Sequence, residues 1–137
     1  MLHFKNKSMR VLLADDSDLI IERLSEMLKM YRQTEIIGSC KNGIDALESI
    51  KVLVPDLVII DINMPEMNGI DVITETRKTN KELKIIVLTF YSSSRYRDLA
   101  IKAGADYFFN KVDDFEEVSM VIAGILWKRG INQLLKN

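Results

Sequence analysis

Five residues stand at the ends of short apolar runs, and their types suggest a shared chemistry. Asp15 and Asp16 follow Val11–Ala14, Asp61 follows Leu57–Ile60, Thr89 follows Ile85–Leu88, and Lys111 follows Tyr107–Phe109 with Asn110 between. Taken singly, each is an ordinary strand-end or turn residue. Together they supply three carboxylates, one hydroxyl and one ammonium. Carboxylates held close repel one another, and a hard divalent cation such as Mg²⁺ relieves the repulsion through oxygen ligands. A carboxylate is also a competent nucleophile toward phosphorus. Transfer of a phosphoryl group then needs mainly positioning and neutralisation of its oxygens. The cation, the ammonium and the hydroxyl would each serve one oxygen.

Such a set works only if the chain brings the five together. The four runs are continuous and apolar, as in strands buried on both faces, and Glu35–Cys40 alternates more, as in an edge strand. Helical spacing appears between them. Ile20, Leu24, Met27 and Tyr31 predict one face, Ile44, Leu47 and Ile50 a second, and Phe115, Val118, Val121 or Ile122, and Ile125 another near the C-terminus. A third helix is expected to start loosely near Gly69 and to run through Ile70, Ile73 and Arg77. Asn42, the Ser92–Ser94 run, and Asp113 with Glu116 read as N-caps, while Gly104 and Gly130 read as helix ends. Five strands alternating with five helices imply right-handed crossovers and a parallel sheet covered on both faces. In such sheets the strand carboxyl ends share one rim.

At 137 residues the chain has the length of one domain. Nineteen basic against twenty acidic residues leave a net charge of −1, which gives no overall attraction to nucleic acid or to an acidic membrane. The lone Cys40 excludes an internal disulfide or a cysteine-based metal site, and reads as a thiol in a reducing compartment. His3, the lone histidine, sits in the polar N-terminal stretch and puts a multi-histidine metal site or a histidine-dependent triad out of reach. No apolar run approaches a membrane span and no secretory leader is recognisable, so a cytoplasmic location is expected.

The sequence resembles the receiver domains of bacterial two-component response regulators. The matching stretches are Val11-Leu12-Leu13-Ala14-Asp15-Asp16-Ser17, Asp61-Ile62-Asn63-Met64-Pro65-Glu66-Met67-Asn68-Gly69, Ile86-Val87-Leu88-Thr89, Ala103-Gly104-Ala105-Asp106, and Lys111. The match spans about residues 8–128 in order. It implies a flavodoxin-like, CheY-like (βα)₅ three-layer sandwich with strand order 2-1-3-4-5. It further implies that Asp61 accepts a phosphoryl group from a sensor histidine kinase, a histidine phosphotransfer protein or a small acyl phosphate. Mg²⁺ would be held by Asp16, Asp61 and the backbone carbonyl of Asn63, with Asp15 acting through a coordinated water. Lys111 would contact the phosphoryl group, and Thr89 with Phe108 would form a switch pair. The readout would be the face of the fourth helix, fifth strand and fifth helix, including Arg95, Arg97, Lys102, Asp106 and Phe108. That face would engage a downstream protein or a second copy of the chain, with no direct nucleic-acid or membrane contact.

Three positions depart from the family pattern. Phe90 follows the switch threonine where small residues are usual, and would crowd the phosphoryl site or shield it from water. Val112 replaces a frequent cis proline, so a trans bond is expected. The switch aromatic is Phe108 rather than tyrosine and can report its position only through packing. Asn63 and Tyr91 occupy positions that tune dephosphorylation in the family. Two other readings compete: a receiver-like interaction module that is never phosphorylated, and a small α/β phosphatase. The second is weakened because the first turn lacks a Gly-rich cradle and Ile20 stands where a threonine is needed. Residues 129–137 are expected to form a short tail without an output domain, through Ile131, Leu134 and Leu135 either extending the fifth helix or packing on a partner.

Overall fold

A computed structural model describes residues 7–135; His3 lies outside that range. Strands β1 (Met9–Ala14), β2 (Thr34–Cys40), β3 (Leu57–Ile60), β4 (Lys84–Thr89) and β5 (Tyr107–Asn110) alternate with helices α1 (Asp18–Leu28), α2 (Gly43–Leu53), α3 (Gly69–Arg77), α4 (Ser94–Ala103) and α5 (Phe115–Leu135). All pairings are parallel, in the order β2-β1-β3-β4-β5. This is the expected flavodoxin-like architecture.

Strand alternation explains why the central runs are apolar throughout. Leu12, Ala14, Val58, Ile60, Ile85 and Val87 face one side, where they meet Ala46, Ile50, Val72, Ile73 and Ala100 of α2, α3 and α4. Val11, Leu13, Leu57, Ile59, Ile86 and Leu88 face the other, against Ile20, Leu24 and Leu28 of α1 and Val118 and Ile122 of α5. Strand β2 lies at an edge, and only Cys40 in it is fully buried, which accounts for its weaker signal.

Several local expectations are corrected. Ile44 is 53% exposed, because α2 buries Gly43, Ala46 and Ile50 instead. Tyr31 lies beyond the end of α1, and its hydroxyl joins Ser119 Oγ of α5 at 2.6 Å. Helix α3 does start at Gly69 and end at Arg77 as expected; the unforeseen part is its cap, Asn68, which accepts from Asp71 N–H at 2.9 Å. Asp113 does not cap α5. The helix begins at Phe115, and the adjacent Asp114 carboxylate accepts from Asn110 N–H at 2.8 Å. Gly130 does not end α5, which continues to Leu135, so Ile131 and Leu134 extend the fifth helix, one of the two arrangements expected of the tail. Asn42, Ser93 and Gly104 do cap α2, α4 and the end of α4.

Candidate functional site

Sheet register converts four strand ends into one cluster. Ala14 pairs with Ile60, so the following residues, Asp15 and Asp61, lie side by side, with Asp61 N–H donating to Ala14 C=O at 3.0 Å. Thr89 pairs with Asn110, and Lys111 N–H donates to Thr89 C=O at 3.0 Å. The Lys111 Nζ then reaches inward to 2.7 Å from both Asp15 Oδ2 and Asp61 Oδ2. The three side chains are only 2–6% exposed. Asp16 is exposed at the rim, and carboxylate oxygens of Asp15, Asp16 and Asp61 lie within 4.8 Å of one another.

The surrounding backbone holds each group. Asp15 Oδ1 accepts from Ser17 N–H at 2.9 Å, while Ser17 Oγ caps α1. Asp61 Oδ1 accepts from Asn63 N–H at 3.3 Å. Gly69 donates its N–H to Ile62 C=O at 2.8 Å, and a Cβ there would collide with the Asp61 carbonyl oxygen. A side chain at position 69 would therefore displace Asp61 itself. Thr89 is fully buried, and its Oγ1 accepts from Tyr91 N–H at 3.1 Å, leaving its own proton to donate.

Burial pushes the Asp15 carboxyl above its ordinary value, and the Asp61 charge adds to this; bonds from Lys111 and from Ser17 N–H offset the effect in part. For Lys111, burial alone would depress the value. Its bonds to Asp15 and Asp61, with their charges, outweigh burial and hold it above the usual range, so the ammonium stays charged. Three carboxylates against one ammonium leave an excess of negative charge. That excess, the all-oxygen donor set and the short spacing fit a hard divalent cation such as Mg²⁺.

Other expected residues separate into those near the cluster and those away from it. Phe90 is 62% exposed, and its ring lies over Lys111 Nζ, 4.9 Å from the centroid. Lys111–Val112 is trans, as are all described peptide bonds. Phe108 is buried in the core beneath α4 rather than displayed on the surface. Asp106 lies at the opposite end of β5, where it pairs with Arg77 at 3.0 Å and accepts from Ile85 N–H at 2.8 Å. Asn110 was missed as a positioning residue. Its Oδ1 accepts from Val112 N–H at 2.6 Å and its Nδ2 donates to Ser92 Oγ at 2.6 Å, tying the two loops beside Lys111. An asparagine at a strand end, a residue type whose side chain often accepts from the N–H two residues on, was the available signal.

Fold and rim together define an α/β signalling domain of the receiver class. The response regulator receiver domain family matches residues 11–123, and the chain belongs to that family. It is 41% identical over 102 residues to the chemotaxis protein CheY of Thermotoga maritima, covering 74% of this chain and 84% of that protein. It is 34% identical to CheY of Halobacterium salinarum, over 85% and 96% of the two. The transcriptional regulatory protein YvfU of Bacillus subtilis is 32% identical, over 82% of this chain. The chain spans about half the length of YvfU and of similar regulators (56% and 51% in two cases). Among solved structures, the receiver domain of NarL from Mycobacterium tuberculosis superposes with a TM-score of 0.78 at 26% identity, covering 87% of this chain and 96% of that one. Receiver domains are signalling switches rather than turnover enzymes, bind Mg²⁺ at an acidic pocket, and interact with histidine kinases and effectors. No helix among the described residues is long and apolar enough to cross a membrane.

Proposed function

We propose that Asp61 accepts a phosphoryl group from a phosphohistidine on a sensor kinase or phosphotransfer protein, and that the domain then switches its contacts with a downstream protein. The buried Asp15–Lys111–Asp61 cluster carries this reading, since its groups lie 2.7 Å apart with little solvent between them. In the transfer, a carboxylate oxygen of Asp61 forms a bond to phosphorus. The phosphorus–nitrogen bond breaks, and the imidazole leaves with its electron pair and takes up a proton. Asp16, Asp61 and the Asn63 carbonyl would hold Mg²⁺, with Asp15 acting through a coordinated water, and the ion would supply charge neutralisation at a phosphoryl oxygen. Lys111 would exchange part of its pairing with Asp61 for a second oxygen, and the Thr89 hydroxyl would donate to a third. Charge placed at Asp61 would draw Thr89 toward it and change the room available to Phe108, which now packs inward.

The readout would be the α4-β5-α5 face. A groove of about 260 Å³ runs there between Arg97 and Ile101 on α4 and Glu117 on α5, over Phe108 and Phe109. Arg95, Arg97 and Lys102 are exposed on α4 and free to meet an acidic partner or a second copy. Incubation with Mg²⁺ and a small phosphodonor, followed by intact mass, tests the reading. The chain should gain one phosphoryl group, and neither Asp61→Asn nor the wild type in EDTA should. No gain with any donor, kinase included, would favour the inert interaction module.

A further inference from the structure

Helix α5 carries apolar residues on the side turned away from the sheet. Val118 and Ile122 are buried beneath it, whereas Trp127 is 68% and Leu134 76% exposed. Ala123, Trp127, Gly130 and Leu134 recur at the alternating three- and four-residue spacing of a helix-pairing seam, with Gly124 and Ile131 beside it. Large and small residues alternate along that line. The two glycines have no intramolecular explanation: a Cβ at Gly124 or Gly130 would meet nothing within 4 Å. Glycine weakens a helix interior, so its use at two open positions points to a close approach from outside.

We propose that this face pairs α5 with α5 of a second copy, antiparallel. In that register Trp127 lies against Gly130 of the second copy, Leu134 against Ala123, and Ile131 against Gly124. A two-fold axis repeats each contact, so all six residues are used twice. Parallel pairing would instead set Trp127 on Trp127 and glycine on glycine, leaving both collisions and voids. A second copy fits because the surface is complementary to itself. Charge does not oppose the pairing: the seam is uncharged, and Arg129 turns back toward Asp56 and the Lys7 carbonyl. Covering these side chains removes roughly 400–500 Å² per copy, below the roughly 600 Å² per partner at which stable specific interfaces begin, so the dimer is weak and concentration-dependent. It uses neither α4 nor β5 and requires no phosphorylation.

Sedimentation equilibrium of the unphosphorylated 137-residue chain, from micromolar to millimolar, should show a monomer–dimer equilibrium. Gly130→Gln should weaken dimerisation roughly tenfold by overpacking the contact, while the urea midpoint of the monomer does not fall. Trp127→Ala should weaken it similarly, and combining Trp127→Ala with Gly130→Trp should restore it, because each large residue again faces a small one. Under oxidation, Ala123→Cys with Leu134→Cys should cross-link two chains, whereas Leu134→Cys alone should not. A chain monomeric at every concentration overturns the proposal. So does a dimer indifferent to Gly130→Gln, a failed rescue by the exchange, or cross-linking by Leu134→Cys alone.

Discussion

Replacing Lys111 with methionine should destabilise the domain in a metal-dependent way. The Lys111 ammonium sits between Asp15 and Asp61, with all three side chains 2–6% exposed. Removing it strands two buried carboxylates, each left with one backbone donor, Ser17 N–H or Asn63 N–H. Breaking a buried ion pair from one side costs about 3–5 kcal/mol, and the surviving donors place this case near the lower end, ~3 kcal/mol. For a domain of this size that corresponds to a fall in Tm of roughly 10–15 °C. The assay is thermal or urea unfolding in EDTA at neutral pH, followed by titration with Mg²⁺. Because the added cation would replace the lost positive charge, the variant should recover more stability from Mg²⁺ than the wild type does. In EDTA the loss should also shrink on acidification. Burial already holds Asp15 above its ordinary value, and removal of the ammonium raises it further. A carboxylate with a raised folded pKa costs nothing below its unfolded value, and the cost grows as pH rises through the folded one. A loss below about 1 kcal/mol in EDTA, or Mg²⁺ gains equal to those of the wild type, would refute the reasoning.

Phe90→Ala should barely alter folding, since the exposed ring contributes about 0.5–1 kcal/mol to Lys111. It should raise both acyl-phosphate labelling and hydrolysis by about two- to fivefold; unchanged rates would remove the idea that the ring roofs the site. Gly104→Ala should cost about 1–3 kcal/mol, because φ is +123° and a Cβ would lie 2.5 Å from Arg77 Cγ. Urea unfolding with an unchanged m-value is the check. Tyr31→Phe removes the hydroxyl that joins Ser119, and the same assay should show a loss of about 1 kcal/mol.

Hydrophobic pattern made the strands legible, because burial on both faces leaves no room for polar residues in Leu57–Ile60 or in the interior of β4. It served less well where a helix end or facing surface decides the outcome. Ile44 has the right type for a core face, but the close approach of α2 to the β3–α3 loop at Gly43 sets the helix rotation and turns Ile44 outward. Tyr31 has helical spacing, yet its helix ends at Leu28 and its hydroxyl is satisfied by another element. Gly130 has a C-cap residue type, but nothing in the next residues stops the helix, which runs on to Leu135. The five rim residues were identifiable for a different reason. Each stands where a strand stops, and a parallel sheet brings all its strand ends to one edge whatever the sequence distance between them. Their chemistry still depended on register, which residue types do not contain. Lys111 and Asp61 are fifty positions apart, and a slip of one residue in β3 or β5 would turn one of them to the opposite face of the sheet. Both faces of β3 are apolar, so what forbids that slip is the charge at its ends: moving the strand by one residue would draw Asp56 or Asp61 into the apolar interior. The apolar core therefore holds the charged cluster together, although none of its residues touches phosphorus.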